Sequence, residues 1–194
     1  MSRPVTDSRD RSQPTIWFLS DHMALPIDGK LFPGYRVRHI ILPYSVERVA
    51  GRGKKVLDFK RHGVEDFDFV FVCFGALDVA HAKDPCDYLA SFIDLVMQEE
   101  ESFDFLAVRF VSLLPIFPGG EIGGFKVKAD DETRIRMTLA VNRELQSLCS
   151  KRAVPYIDVY ERYEGDDMCV DGALRTAGGL VVGRAVELLL KHLL

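Results

Sequence analysis

Short apolar runs alternate with longer amphipathic stretches along this chain, and the alternation constrains its fold more than any other feature. The runs are rich in β-branched or aromatic residues and are bounded by Pro, Gly or Asp, as strands are. Strands that alternate with helices build a parallel sheet with helices on both faces. We therefore predict an α/β fold, a three-layer α/β/α sandwich with a five-stranded parallel sheet of the flavodoxin-like type. The predicted strands are 15–19, 35–42, 67–74, 103–114 and 154–159, and the predicted helices are 45–52, 86–100, 130–151 and 177–192.

A chain of 194 residues is long enough for one domain with a sizeable core. We predict a disordered tail over 1–13 and a single domain over 14–194, with a glycine-rich lid or mobile loop at 115–128. The polar first residues contain no apolar run of the length that a signal peptide or a membrane span needs. A cytoplasmic protein without membrane contact is expected. The four cysteines form no CxxC pair, so neither a metal site nor a cofactor is predicted.

Chemistry in such a sheet is expected beyond the carboxyl ends of the strands, where strand order reverses. The first predicted strand is followed by Ser20-Asp21-His22 and the third by Gly75-Ala76-Leu77-Asp78, while Asp171-Gly172-Ala173-Leu174 precedes the last predicted helix. In this order, and across almost the whole chain, these segments resemble blocks of the SGNH (GDSL) hydrolase family. The family blocks read Gly-Asp-Ser, Gly-x-Asn-Asp and Asp-x-x-His. The resemblance implies the family's α/β/α fold.

The catalytic positions of those blocks differ in this chain. By the resemblance, His22 stands at the position of the nucleophilic serine, Leu77 at that of the oxyanion-binding asparagine and Leu174 at that of the histidine base. Asp171 alone of the triad is retained. A leucine neither accepts the proton of a serine nor donates a hydrogen bond, and this acyl-transfer chemistry needs both. We therefore predict a catalytically inactive SGNH hydrolase homologue.

Two alternatives keep chemistry at this end of the sheet. His22 beside Asp21, with Asp78 and Asp171 near, offers an acid/base or metal cluster, although one histidine without a second nitrogen or a thiolate is a poor donor set for a transition metal. A weak or altered esterase or acetyl hydrolase needs a nucleophile, for which the candidates are Ser20 and Ser45. Neither serine has a histidine at a predictable distance. Short acidic residues more often cap turns, which is the simpler role for Asp78 and Asp171.

Positive charge is concentrated in one stretch of a chain whose formal net charge is −4. Between Asp28 and His62, nine Lys or Arg stand against three acids, a local excess of +6. The stretch is either an ordinary solvated surface or a track for a phosphate backbone. Arg36 and Arg38 share one strand face because side chains alternate along a strand. The predicted RNA-binding residues are Arg36, Arg38, Arg48, Arg52, Lys54, Lys55, Lys60 and Arg61, with Arg175 beside the last block. The candidate rings for base stacking are Tyr35, Tyr44 and Phe59.

An SGNH-like domain without its catalytic residues resembles the OSK domains of the Oskar germ-plasm proteins of insects. That resemblance implies binding of single-stranded messenger RNA, especially untranslated regions, in cytoplasmic ribonucleoprotein granules with protein partners. A third alternative is a protein-interaction scaffold that uses the acidic surface of Asp94 and the run Gln98-Glu99-Glu100-Glu101. We expect that run to be simply the solvated end of a helix, where acids oppose the helix dipole.

Overall fold

The computed structural model describes residues 13–21, 32–113, 121–122, 125–126 and 128–160. Within them, five strands form one parallel sheet in the order β2-β1-β3-β4-β7. The strands of this sheet are β1 (Thr15–Ser20), β2 (Arg36–Ile41), β3 (Phe69–Cys73), β4 (Ala107–Val111) and β7 (Tyr156–Ile157). The helices are α1 (Val46–Arg52), α2 (Phe59–His62), α3 (Ala76–Ala80), α4 (Cys86–Glu100) and α5 (Asp131–Lys151), and a 3₁₀ turn covers Gly53–Lys55. The predicted α/β fold with its five-stranded parallel sheet is confirmed.

Strand order explains the sequence pattern of the strands. Every residue of β1 is buried, because β1 lies between two strands and is covered on both faces. By contrast β2 lies beyond β1 in the strand order, and half of its six residues are exposed, Arg38 and His39 among them. Charged side chains on such a strand discourage pairing with a foreign strand. Strand order reverses between β1 and β3, and in open parallel sheets ligands bind beyond the carboxyl ends of the strands at such a point.

Two hydrophobic clusters lie on opposite faces of the sheet. Alternate residues of β1 divide between them, Trp17 and Leu19 in one and Ile16 and Phe18 in the other. Side chains of α1, α3, α4 and α5 fill the larger cluster, so these helices cover one face. The predicted helix 177–192 and the tail residues 1–12 lie outside the described residues.

Buried polar side chains tie helices to the sheet. The Asn142 amide of α5 accepts from Leu113 N at 2.7 Å and donates to Leu113 O at 3.1 Å, pairing both backbone groups beyond β4. Ser112 Oγ accepts from Val159 N and Tyr160 N, which fixes the chain after β7. At the start of α5, Asp130 Oδ1 accepts from Thr133 N at 2.7 Å and caps the helix.

Three structural expectations need correction. The segment 115–128 contains a short antiparallel pair, β5 (Glu121–Ile122) with β6 (Phe125–Lys126), where a loop was expected. The acidic end of α4 is not solvated throughout, because Glu99 is buried and accepts from Phe59 N at 2.9 Å. Phe59 is itself fully buried, so its ring is not available to a base. Glu99 and Phe59 are both buried because α2 packs against the end of α4.

Candidate functional site

Asp21 joins the ends of β1 and β3 at the point where strand order reverses. Its side chain is almost fully buried, and Oδ2 accepts from Gly75 N at 2.9 Å and from Leu77 N at 3.1 Å. Gly75 has a φ of 120°, a conformation that strains any residue with a Cβ, which explains the glycine at this turn. The backbone N–H groups of Gly75 and Leu77, beyond the carboxyl end of β3, therefore both donate to the Asp21 carboxylate.

Asp78 joins α3 to α1. Its Oδ2 accepts from Val46 N at 3.0 Å, at the start of α1. Burial raises the pKa of Asp78 to about 6, the Val46 N–H opposes that rise, and the nearby charge of Asp21 adds to it. The side chain is buried and holds two helices together, as its predicted capping role implies. Among the described residues, no group of three His, Cys, Asp or Glu is placed to hold a metal ion.

Leu77 lines a small cleft beside these carboxylates. The cleft has a volume of about 220 Å³, and its wall near Leu77 includes Asp78, Tyr44 and Lys83. Leu77 is partly buried and offers only an apolar side chain there. Ser45 also lines the cleft, but its Oγ accepts from Arg48 N at 3.3 Å and caps α1.

Two arginines of the basic stretch are held on one tyrosine. The guanidinium carbons of Arg48 and Arg52 lie 4.7 and 5.7 Å from the centre of the Tyr44 ring. Both arginines are exposed and stand one turn apart on α1. They line a cleft of about 690 Å³ together with Lys83, Glu47 and Tyr88. In this cleft three cations stand beside one carboxylate, that of Glu47. We call Tyr44, Arg48, Arg52, Lys83 and Tyr88 the Tyr44 cluster.

Arg36 and Arg38 lie on one face of β2, as alternation predicted, and line a different cavity. Arg38 is held 5.4 Å from the Trp17 ring, and the cavity has a volume of about 520 Å³. Its wall also carries three carboxylates, so the balance of charge is reversed from that of the Tyr44 cluster. These carboxylates are Glu65, Asp66 and Asp68.

The other predicted cations are spread along the surface. Lys54 Nζ lies 3.3 Å from Glu99 Oε1, and Lys60 lies 5.2 Å from the Phe103 ring. Lys55 and Arg61 are exposed. Sequence reasoning missed Lys83, which is 28 positions from Lys55. Lys83 comes shortly after the Gly75–Asp78 block that follows β3. Val46 N donates to Asp78 Oδ2, and this hydrogen bond brings that block to the start of α1. The position of Lys83 behind the block is therefore the sequence signal for its place beside α1.

Solved structures of hydrolases share this architecture. A GDSL-like lipase from Bacteroides thetaiotaomicron is 13% identical with a TM-score of 0.56, over 89% of this chain and 87% of its own. A protein from Bacteroides fragilis assigned as an acylhydrolase is 13% identical with a TM-score of 0.64, over 95% and 88%. An acetylxylan esterase from Geobacillus stearothermophilus is 16% identical with a TM-score of 0.58, over 90% and 92%. This chain has the SGNH-hydrolase fold.

At these identities the likeness concerns the fold alone. No family model matches the sequence, and no curated protein matches it. In that esterase, alanine replacements of a serine, an aspartate and a histidine are described as catalytic mutants, and the histidine follows the aspartate by three positions.

The structure describes part of the predicted site. Ser20, Asp21, Leu77 and Asp78 are described, and Asp21 and Leu77 are in direct contact. The candidates His22, Asp171, Leu174 and Arg175 lie outside the described residues. No helix in the described part of the chain is long and apolar enough to cross a bilayer.

Proposed function

We propose that this chain is a non-catalytic SGNH-fold domain that binds single-stranded RNA. The observation that carries the proposal is the Tyr44 cluster, where two exposed guanidinium groups stand on one aromatic ring beside Lys83. Proteins that bind single-stranded RNA combine arginine and lysine side chains, which contact the phosphate backbone, with aromatic rings on which bases stack. A guanidinium held on a ring loses less conformational freedom when it binds phosphate.

The charge balance of the two cavities ranks the predicted RNA contacts. Three cations and one carboxylate line the 690 Å³ cleft of the Tyr44 cluster, and Asp78 lies beside Lys83 in the adjoining cleft, whereas three carboxylates and two arginines line the cavity at Arg36 and Arg38. A phosphate backbone gains Coulomb energy at the first and little at the second. We therefore propose Arg48, Arg52 and Lys83 as the principal phosphate contacts, with Lys54, Lys55, Lys60 and Arg61 extending the surface and without Arg36 and Arg38.

The absence of catalysis is part of the same proposal. Leucine at positions 77 and 174 matches, by the resemblance, positions whose asparagine and histidine the SGNH reaction requires. In addition, the Leu77 N–H is held by Asp21. By the resemblance to OSK domains, the RNA that we propose is messenger RNA in a cytoplasmic ribonucleoprotein assembly of the germ-plasm type.

Binding of a fluorescent single-stranded RNA of about 20 nucleotides at several salt concentrations tests this proposal. Arg48→Glu with Arg52→Glu should weaken binding by about 10- to 100-fold. Three phosphate contacts to a single strand predict a slope of about −2 for log affinity against log salt, and the variant should flatten that slope. The matched control reverses two exposed charges of α5, Arg143→Glu with Lys151→Glu, which changes net charge equally.

Three results would count against the proposal. Wild type that fails to bind at low salt would exclude RNA binding, and equal losses in the variant and in the α5 control would reduce it to net charge. Saturable turnover of p-nitrophenyl acetate that disappears in Ser20→Ala or His22→Ala would show that the domain is an esterase.

A further inference from the structure

Two phenylalanines at the amino-terminal end of the sheet are exposed and stacked on each other. Phe67 is 66% and Phe105 is 63% exposed, and their ring centres lie 4.8 Å apart with the planes 10° from parallel. They precede β3 and β4, at the end of the sheet opposite Asp21. Large apolar side chains that stay in solvent as a contiguous patch mark interaction surfaces.

The backbone of Phe67 is strained in a way that supports a binding role. Its φ is 69°, in the left-handed region, where a bulky residue is an outlier. Hydrogen bonds hold this conformation: Phe67 N donates to Phe105 O at 3.1 Å, and Asp104 N donates to Asp66 Oδ1 at 2.9 Å. Strained residues fixed by their surroundings cluster at ligand and partner sites.

The charges around the pair select the partner. Phe67 also lines the 520 Å³ cavity that contains Arg36 and Arg38, while the acids Asp66 and Asp104 are exposed beside the rings. The excess of carboxylates in that cavity disfavours a phosphate backbone. A surface with an apolar centre and charges of both signs meets a requirement for pairing with a second copy of itself, because a two-fold axis can place the cations of one copy opposite the acids of the other. A patch of a single sign lacks this property.

We propose that the Phe67–Phe105 pair is the centre of a two-fold surface through which two copies of this chain associate. The rings of the two copies pack together at the axis, and Arg36 and Arg38 of each copy face acidic side chains of the other. Two rings and a charged rim form a small interface, and interfaces below about 1,200 Å² are typical of transient association. The dimer is therefore expected at about 10 to 500 µM rather than at nanomolar concentration.

Sedimentation velocity of the whole chain over that concentration range tests the proposal. The mass of the wild type should rise toward that of a dimer, and 1 M salt should reduce the dimer because the rim is ionic. Phe67→Gly should remain monomeric throughout while folding normally, since glycine adopts a φ of 69° without strain. Phe105→Ser, whose backbone is unstrained by this criterion, should also be monomeric.

The matched control is Ile41→Ser, because Ile41 is 56% exposed on β2 but lies at the other end of the sheet. It should dimerise as the wild type does. The proposal fails if the wild type stays monomeric at 500 µM, or if folded Phe67→Gly and Phe105→Ser both dimerise normally. It also fails if these variants lose RNA affinity with their mass unchanged, since the pair would then belong to the RNA surface. The RNA proposal does not depend on whether the wild type, Phe67→Gly or Phe105→Ser forms dimers.

Discussion

Two neighbouring carboxylates, Asp21 and Asp78, do structural work at the end of the sheet where SGNH enzymes do chemistry. Asp21 accepts two backbone N–H groups and Asp78 accepts one. Hydrogen bonds to a charged acceptor stabilise it, whereas burial and a like charge destabilise it. Asp78 accepts only one of these hydrogen bonds, which does not offset its burial. Its charged form is therefore unfavourable in the folded protein, and its pKa is about 6.

The raised pKa of Asp78 should be visible in the pH dependence of the free energy of unfolding. Because the folded pKa of about 6 exceeds the ordinary value of 3.8, the folded state binds the proton more tightly than the unfolded state. The contribution of Asp78 to the free energy of unfolding therefore falls as pH rises from about 4 to about 6, by roughly 3 kcal/mol at most. Asp78→Asn keeps an acceptor for Val46 N without the charge. Relative to the wild type, it should gain about 1–3 kcal/mol between pH 4 and pH 7 in urea unfolding.

Asp84→Asn is the matched control for this experiment. The backbone N–H of Cys86 lowers the pKa of Asp84, so this carboxylate stabilises the fold above its ordinary pKa and that stability is lost as pH falls. Its asparagine variant should therefore lose stability relative to the wild type as pH rises. A difference between Asp78→Asn and the wild type that stays constant with pH would contradict the role of the charge.

At the scale of elements, the acidic end of α4 shows why sequence reasoning reaches strands more easily than helix ends. The strands were predicted because apolar runs persist wherever a strand is covered on both faces. Glu99 and Glu100 were predicted to be solvated because single-sequence patterns do not reveal their partners, which lie 40 positions away for Glu99 and 8 positions away for Glu100. Their carboxylates accept from Phe59 N and Val108 N. The short α2 and α3 escaped prediction for a different reason, since four or five residues carry no helical period.

Glu99 should therefore contribute to stability through both of its oxygens. Glu99→Ala leaves Phe59 N and the Lys54 ammonium without their carboxylate and should cost about 2–4 kcal/mol in urea unfolding. Glu99→Gln retains an acceptor for Phe59 N and should cost less than the alanine variant. The control Glu101→Ala, at an exposed position, should change stability by about 0.5 kcal/mol or less. Equal effects at positions 99 and 101 would show that the buried contacts contribute nothing.

For the candidate site, the sequence predicted the positions that meet at the end of the sheet but not what they do there. Asp21, Leu77 and Asp78 were predicted to lie together because they follow the first and third predicted strands and match the SGNH blocks. In the structure Asp21 contacts Leu77, and Asp78 follows Leu77 in α3. Arg48 and Arg52 were predicted as members of a basic stretch, but their support by Tyr44 depends on the angle between β2 and α1. The exposed pair of Phe67 and Phe105 was invisible, because phenylalanine in a strand-like run is expected to be buried.

At the scale of the whole molecule, the Tyr44 cluster and the Phe67–Phe105 pair lie at opposite ends of the sheet. Strands of six residues separate the ends by about 20 Å. Sites this far apart that share no side chain usually act additively. The two proposed surfaces are therefore expected to be independent in each single copy of the chain.

That independence has a measurable consequence that depends on the length of the RNA. With an RNA of about 8 nucleotides, which occupies one copy, Phe67→Gly should bind within about 2-fold of the wild type, and Arg48→Glu with Arg52→Glu should leave the dimer mass unchanged. With an RNA of about 40 nucleotides, a dimer can hold one strand at two clusters, and the second contact then forms at a high effective concentration. The wild type should bind the long RNA at least about 10-fold more tightly than Phe67→Gly does. If Phe67→Gly loses affinity equally for the short and the long RNA, the aromatic pair contacts RNA directly. If Phe67→Gly binds both RNAs as tightly as the wild type does, dimerisation contributes nothing to RNA binding.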